Sequence, residues 1–253
     1  VPFEQVVVLL VAAVAAGWID AVVGGGGLIQ LPALMAVGVP PVQALATNKL
    51  SSVAGTASAA VTYARRVPLD RAVAVPAGAL SVVAAGLGAL AASAVSDGLL
   101  RPIVLGVLAG VLVLILVRPA LGEEARPELR TRRRRWAAVA LTGVGVAFYD
   151  GVLGPGTGTF LVMAFTLVVG MDFLHALATA RVVNTATNLG ALAVFAGEGH
   201  VLWGLGAGMA VCNVLGAQLG ARTAVRRGAG FVRAVLVCVV SALIVKLGVD
   251  QFA

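Results

Sequence analysis

Apolar residues dominate this chain in long blocks, and charged residues fall almost entirely between them. Residues 5–19, 72–96, 102–117, 136–149, 182–197 and 201–221 carry no charged side chain. Most of these runs approach the roughly 20 residues that take an α-helix across a bilayer. The pattern predicts a broken block over about 3–37, then helices near 42–64, 71–93 and 100–118. It predicts a second broken block over about 136–170, then helices near 174–196, 200–222 and 229–249. A block of about 35 residues is too long for one span, and each has a cluster of glycines in its middle.

The two halves follow one plan. Ala44-Leu45-Ala46-Thr47 returns as Ala176-Leu177-Ala178-Thr179, an offset of 132. That offset also sets Lys49 on Arg181, Ser52 on Asn184, Thr56 on Asn188 and Tyr63 on Phe195. The breaks match too. Asp20 leads into Gly24-Gly25-Gly26-Gly27, and Asp150 leads into Gly154-Pro155-Gly156-Thr157-Gly158. Such a run suits a helical hairpin or re-entrant pair. Backbone of this kind is tolerated at membrane depth only where protein or a water-filled cavity surrounds it. Paired broken helices in repeated halves are where many transporters place their substrate site.

Composition agrees with lipid as the solvent: 60% of the 253 residues are hydrophobic and 11% charged, against roughly 25% charged in soluble domains. The charge-free start resembles a signal peptide in length but has no basic lead, and the second half repeats it, so it is read as part of the fold. The net charge of +7 is better explained by topology than by nucleic acid, because the arginines cluster between apolar spans. If each block crosses once, the Lys and Arg outside the interior divide 11 to 5 between the two sides. If each block enters and returns, they divide 14 to 2, with only Arg101 and Lys246 on the poorer side. The second arrangement makes the basic side cytoplasmic. It gives the halves inverted orientation and puts both termini outside. Trp18, Trp136 and Trp203 suit interfacial anchors. Cys212 and Cys238 read as packing thiols without metal-ligand spacing. His175 and His200 fall at helix ends.

Lys49 and Arg181 are the two cations left inside the apolar blocks, each about 12 Å into its helix. Charge at that depth is costly and marks function. Lys49, Ser52 and Thr56 share one helical face at spacing i, i+3, i+7, and Arg181, Asn184 and Asn188 repeat it. Two such stripes suit an anion with several oxygens. Half-helices starting near Leu28 and Thr159 would add N-terminal backbone donors, and Thr157 and Thr159 would add hydroxyls. Alternatively, the cations pair with Asp20 and Asp150 and hold the bundle together, and an ion pair of that kind can open to admit substrate. The two carboxylates also suit proton carriage, Na⁺ binding or helix capping. The glycine runs are not phosphate loops: neither sits in a βαβ unit or ends in Gly-Lys-Ser/Thr. Gly106-x-x-x-Gly110 and Gly216-x-x-x-Gly220 read as close helix-packing motifs.

Gly17 to Pro32, Ala44 to Ser52 with Ala46-Thr47-Asn48-Lys49, Tyr149 to Phe160, and Asn184-Thr185-Ala186-Thr187-Asn188 together resemble the TauE/SafE family of membrane transporters, also called the sulfite exporter or sulfonate permease family. The resemblance covers nearly the whole chain. The Gly-Pro-Gly-Thr-Gly-Thr form is similar to a bacterial subgroup with Lys where this chain has Arg181. The family implies small sulfur-containing or carboxylated anions, such as sulfite, sulfonates or sulfoacetate, as substrates.

The sequence therefore predicts an all-α integral membrane protein of two inverted repeats, each a glycine-broken hairpin plus three transmembrane helices. Residues 1–118 form the N-terminal repeat, 119–135 a basic cytoplasmic linker and 136–253 the C-terminal repeat. The predicted function is secondary transport, in the exporting direction, of a small oxyanion across the plasma (inner) membrane by alternating access. Lys49, Arg181, Asn48, Ser52, Thr56, Asn184, Asn188, Gly25, Gly26, Gly27, Gly156, Thr157 and Thr159 are the predicted substrate-binding residues. Asp20 and Asp150 are the predicted coupling residues. The expected partners are the anion, the bilayer and a coupling proton or ion, with a homo-oligomer compatible and no nucleic acid. No catalytic cluster, metal or cofactor is expected. A cation- or proton-translocating protein centred on Asp20 and Asp150, and a non-transporting assembly factor, stand as the alternatives. The charge split predicts that cysteines placed in 130–135 and in 224–230 react with an impermeant reagent only from the cytoplasmic face. Labelling from opposite faces would restore the single-crossing arrangement.

Overall fold

The computed structural model describes residues 2–96, 98–100, 102–104, 106 and 125–252. Most of the predicted helix near 100–118, including Arg101, Gly110 and Arg118, lies outside the described residues, as do the side chains of Arg233, Cys238 and Lys246. The described chain is helical, without a strand. It comprises α1 (Phe3–Val23), α2 (Gly27–Ala36), α3 (Pro41–Ala64), α4 (Arg71–Ser93), a 3₁₀ turn (Pro127–Leu129), α5 (Arg132–Ala140), a π-helical stretch (Leu141–Val146), α6 (Ala147–Val152), α7 (Thr157–Val169), α8 (Phe173–Gly197) and α9 (Trp203–Phe252). α5, the π stretch and α6 run on without a gap. α9 is interrupted at Gly228, whose φ of 73° is left-handed, where the sequence predicts a division between two helices.

Local chemistry sets the helix ends. Pro41 opens α3, where its missing N–H costs nothing. Asp172 caps α8, its Oδ1 accepting from the backbone N–H groups of Leu174 and His175. Thr131 caps α5 by accepting from Arg134 N, so the helix starts within the predicted linker. Arg134 also reaches Val168 O at the end of α7 at 3.2 Å, a favourable place for a cation. Segments Phe3–Val23, Arg71–Ser93 and Trp203–Gly228 are long and apolar enough to cross a membrane. α3 and α8, with 24 and 25 residues, reach a similar length of about 36 Å but carry the polar stripes.

Buried apolar side chains form two clusters. One lies toward the arginine-rich loops and includes Tyr63, Val73, Phe165, Phe173 and Ala221. The other includes Leu9, Leu34, Leu45, Ala92, Phe195 and Met209. α3 passes from the second cluster, at Leu45, to the first, at Tyr63; its counterpart α8 passes from the first, at Leu177, to the second, at Phe195. α1 leaves the second cluster at Leu9 and reaches the first at Val22, and α2 is back in the second at Leu31. In the other half, Val139 belongs to the first cluster, Leu153 to the second and Leu161 to the first again. Each broken block thus leaves one cluster and comes back to it.

The halves interlock rather than sit side by side: α1 packs on α9, α4 on α6 and α8, and α3 on α8 and α9. Small residues allow the close approach, as packing between lipid-embedded helices requires. A Cβ on Gly220 would lie 2.5 Å from Trp18 O, and one on the repeat-matched Gly88 would lie 2.2 Å from Phe148 O. Outside the bundle the apolar surface is bare: Val11, Val83, Leu87, Val144, Leu215 and Leu219 are all exposed, while Lys49 and Arg181 are fully buried. That inverts the arrangement of a water-soluble protein.

The packing gives a test. A Cβ at Gly151 would stand 2.0 Å from Ala85 O and one at Gly216 2.0 Å from Val14 O, whereas Gly204 meets nothing within 4 Å. Gly151→Ala and Gly216→Ala should each destabilise by about 1–3 kcal/mol or more, the cost of overpacking. Gly204→Ala should leave the melting temperature in detergent unchanged.

Candidate functional site

The site begins where the two breaks cross. α1 ends at Gly24 and the second block turns at Gly154, with φ of 92° and 89°, a backbone region that side chains rarely adopt. The breaks touch directly: a Cβ on Gly24 would fall 2.4 Å from the carbonyl carbon of Gly158. Each break strands backbone carbonyls that a continuous helix would have satisfied. Side chains from other elements take them up. Tyr63 donates its hydroxyl to Ala21 O at 2.8 Å, and Thr159 donates to Val23 O at 3.1 Å across the repeats. Tyr149 donates to Pro155 O at 2.5 Å, and Thr157 to Gly154 O at 2.8 Å.

Beside this crossing lie four charges paired between the halves. Arg181 Nη1 of α8 donates to Asp20 Oδ2 of α1 at 2.6 Å. Lys49 Nζ of α3 stands 2.8 Å from Asp150 Oδ2 of α6. The two pairs are not equivalent. Asp20 is also held by Gly26, whose N–H donates to Oδ1 at 3.2 Å and so caps α2. Asp150 is more deeply buried, with a side-chain exposure of 3% against 17% for Asp20. Its Oδ2 has no aligned hydrogen-bond donor among the described residues, although Lys49 is at ion-pair distance. Arg181 Nε and Nη2 likewise have no partner among the described residues. That free edge of the guanidinium lies at Gly158, where a Cβ would come 2.6 Å from Nη2.

A polar cavity opens between these groups. About 20 Å³ of it admits the centre of a water-sized sphere, room for one water and too little for an oxyanion such as sulfite. Lys49, Asn48, Ser52, Asn184, Asn188, Gly27, Gly156 and Thr157 line it, with Asp20 and Asp150. Arg181, Thr56, Gly25, Gly26 and Thr159 do not. Thr56 turns its hydroxyl to Ser52 O of its own helix, and Thr159 is engaged with Val23. Asn188 Nδ2 donates to Asn184 O at 2.8 Å, so the two stripe residues of α8 brace each other.

The family profile described as "Sulfite exporter TauE/SafE" matches residues 9–247. The chain belongs to the TauE/SafE family. It is 37% identical to "Probable membrane transporter protein ORF9" of Sinorhizobium sp over 98% of this chain and 94% of that protein. It is 37% identical to "Probable membrane transporter protein YfcA" of Escherichia coli K12, over 96% of this chain and 90% of that one. A "Probable membrane transporter protein" of Haemophilus influenzae is 30% identical over 98% and 96%. No solved structure matches the chain. The molecule is thus a multi-pass membrane protein of a transporter family.

Several residues that shape the site in this family member carry weak sequence signals. Tyr63 is visible in sequence only as the repeat match of Phe195, and Tyr149 only as the start of the Tyr149 to Phe160 motif; neither hydroxyl's role shows there. Gln30, which donates from Nε2 to Ser51 Oγ at 2.8 Å, is a single polar position in an apolar helix. Its depth opposite the Lys49 helix is visible only in three dimensions.

Removing one partner of a buried ion pair costs about 3–5 kcal/mol, because the other charge is stranded. Arg181→Gln should therefore lower the melting temperature more than the double variant Arg181→Gln/Asp20→Asn does. A thermal double-mutant cycle in detergent measures this, and additive effects would mean the pair contributes nothing.

Proposed function

We propose that the protein is a secondary transporter of a small oxyanion, such as sulfite, a sulfonate or sulfoacetate, working by alternating access between two inverted repeats. The observation that carries the anion reading is the pair of buried cations, one of which, Arg181, holds donors at Nε and Nη2 without an acceptor among the described residues. An unpaired guanidinium edge matches the bidentate geometry of an oxyanion. Lys49 supplies a second, compact charge at the cavity wall. Ser52, Asn184, Asn188, Asn48 and Thr157 orient the anion, and backbone N–H groups at Gly156 and Gly27 add donors at the half-helix starts. The glycine breaks give the pliancy for rocking.

The inverted arrangement is supported by the opposite passage of α3 and α8 between the two apolar clusters. With the arginine-rich end cytoplasmic, both termini lie outside, in the plasma (inner) membrane of a bacterium. Because the cavity holds one water, loading an oxyanion requires the elements around it, the broken helices first, to shift. The family's description as an exporter supports the outward direction.

Thermal shift of the purified protein against sulfite, sulfoacetate, other sulfonates, sulfate, thiosulfate and carboxylates tests the anion reading. Lys49→Gln and Arg181→Gln should each weaken binding of the anion that stabilises the wild type. The loss of one charge-assisted contact is worth about 1.5–3 kcal/mol, roughly tenfold to more than a hundredfold in affinity. Arg181→Lys should be nearly as severe if a planar grip is needed. Unchanged affinity in both Gln variants would move the site elsewhere.

A further inference from the structure

The four central charges are two carboxylates and two cations, so the layer is formally neutral. An oxyanion entering it adds a negative charge in a place where unbalanced charge is costly. If that anion draws Lys49 toward itself, Asp150 is left as a carboxylate with no counter-ion. Asp20 is not exposed in the same way, since Gly26 N–H and the aligned Arg181 Nη1 both remain on it.

A second observation falls on the same spot. Asn48 precedes Lys49 on α3, is 4% exposed and lines the cavity that Asp150 lines. Its Oδ1 has no donor among the described residues. A buried acceptor left unpaired is destabilising unless something with positive character comes to it. Asp150 Oδ2 lacks an aligned donor in the same cavity. Both of these oxygens are buried behind the cavity wall rather than open to it, so they become a seat only as the Lys49 ammonium leaves Asp150 and makes room beside a cavity the size of a single water.

We infer that Asp150 and Asn48 form the seat of a monovalent co-ion, a proton or a sodium ion, which enters as the anion pulls the Lys49 ammonium off the carboxylate. The inference rests on the anion reading above and separates the roles of the two acidic residues. Asp150 carries the co-ion, as a carboxylate that takes up H⁺ or as an oxygen ligand of Na⁺. Asp20 stays a positioning residue that ties Arg181 and α2 together. Among the described residues, the other ionisable groups that bear on Asp150 are Tyr149 beside it, Lys49 from α3, and Asp20 and Arg181 across the crossing. α7 has none, and α4 has none beyond Arg71 at its start.

Removing the ammonium mimics the loaded state without any anion. Purified Lys49→Gln should gain roughly 3–8 °C in melting temperature either from NaCl over choline chloride at equal ionic strength or from lowering the pH from 8 to 5. Wild type should respond to neither beyond the buffer effect, and Lys49→Gln/Asp150→Asn should lose the response. Lys49→Gln/Asp20→Asn should retain it. A response to sodium alone names Na⁺, and a response to pH alone names the proton. If Lys49→Gln is not recovered folded, Asn48→Asp keeps the lysine and puts a second carboxylate at the orphan acceptor. It should acquire the same sodium or pH response. No response in the folded variant, or a response that survives Asp150→Asn, overturns the inference. Neither readout contains a transported anion, so failure of the anion panel and failure of the co-ion seat are separate results.

Discussion

A charge buried in a membrane protein must find its opposite, and here each finds it in the other half of the chain. Lys49 meets Asp150 and Arg181 meets Asp20, so neither repeat can neutralise its own centre. The glycine breaks, the crossed helices and the tyrosine and threonine hydroxyls on stranded carbonyls all serve to bring those four groups to one depth. The buried polar layer is worth its desolvation only while the halves stay together.

The packing around this layer obeys a second constraint. Lipid gives no hydrophobic reward for bringing helices together, so contact must come from close backbone approach. Gly88 against Phe148 and Gly220 against Trp18 are the same contact made twice, by residues the repeat places in register. Many large apolar side chains that a soluble protein would hide, such as Val11, Val83 and Leu215, are turned outward, while the interior keeps two apolar clusters with the polar stripes between them.

Much of this was legible in the chain. Identical tetrapeptides and matched cations pointed to two halves because repetition survives in sequence even where composition is monotonous. Asp20 and Asp150 stood out because an acid before a glycine run is rare in an apolar block. The cross-pairing was only one of the alternatives, since periodicity says which residues share a face and not which faces meet. For the same reason Arg181 shares a stripe with Asn184 and Asn188 yet stands off the cavity wall, and Thr56 spends its hydroxyl on its own helix. Tyr63 and Tyr149 were marked only by the repeat and the family motif, and Gln30 not at all, because the role of one polar atom on a buried side chain is hidden until its partner is known. The start of α5 at Arg132 also ran against expectation: four arginines in a first turn oppose the helix dipole, and the Thr131 cap with the contact to Val168 offsets them.

One departure from repeat symmetry has an energetic consequence. Tyr63 ties its hydroxyl to Ala21 O, while Phe195 stands at the matched position and has no hydroxyl to offer. Under alternating access, two identical repeats would make inward- and outward-facing forms of equal energy, each the mirror of the other's conformation. A single unmatched hydrogen bond, worth about 0.5–1.5 kcal/mol, is enough to break that degeneracy by roughly two- to tenfold in population. In the proposed carrier, divergence at that one aromatic ring is expected to bias which way the empty form rests, and with it which side of the membrane it opens to first.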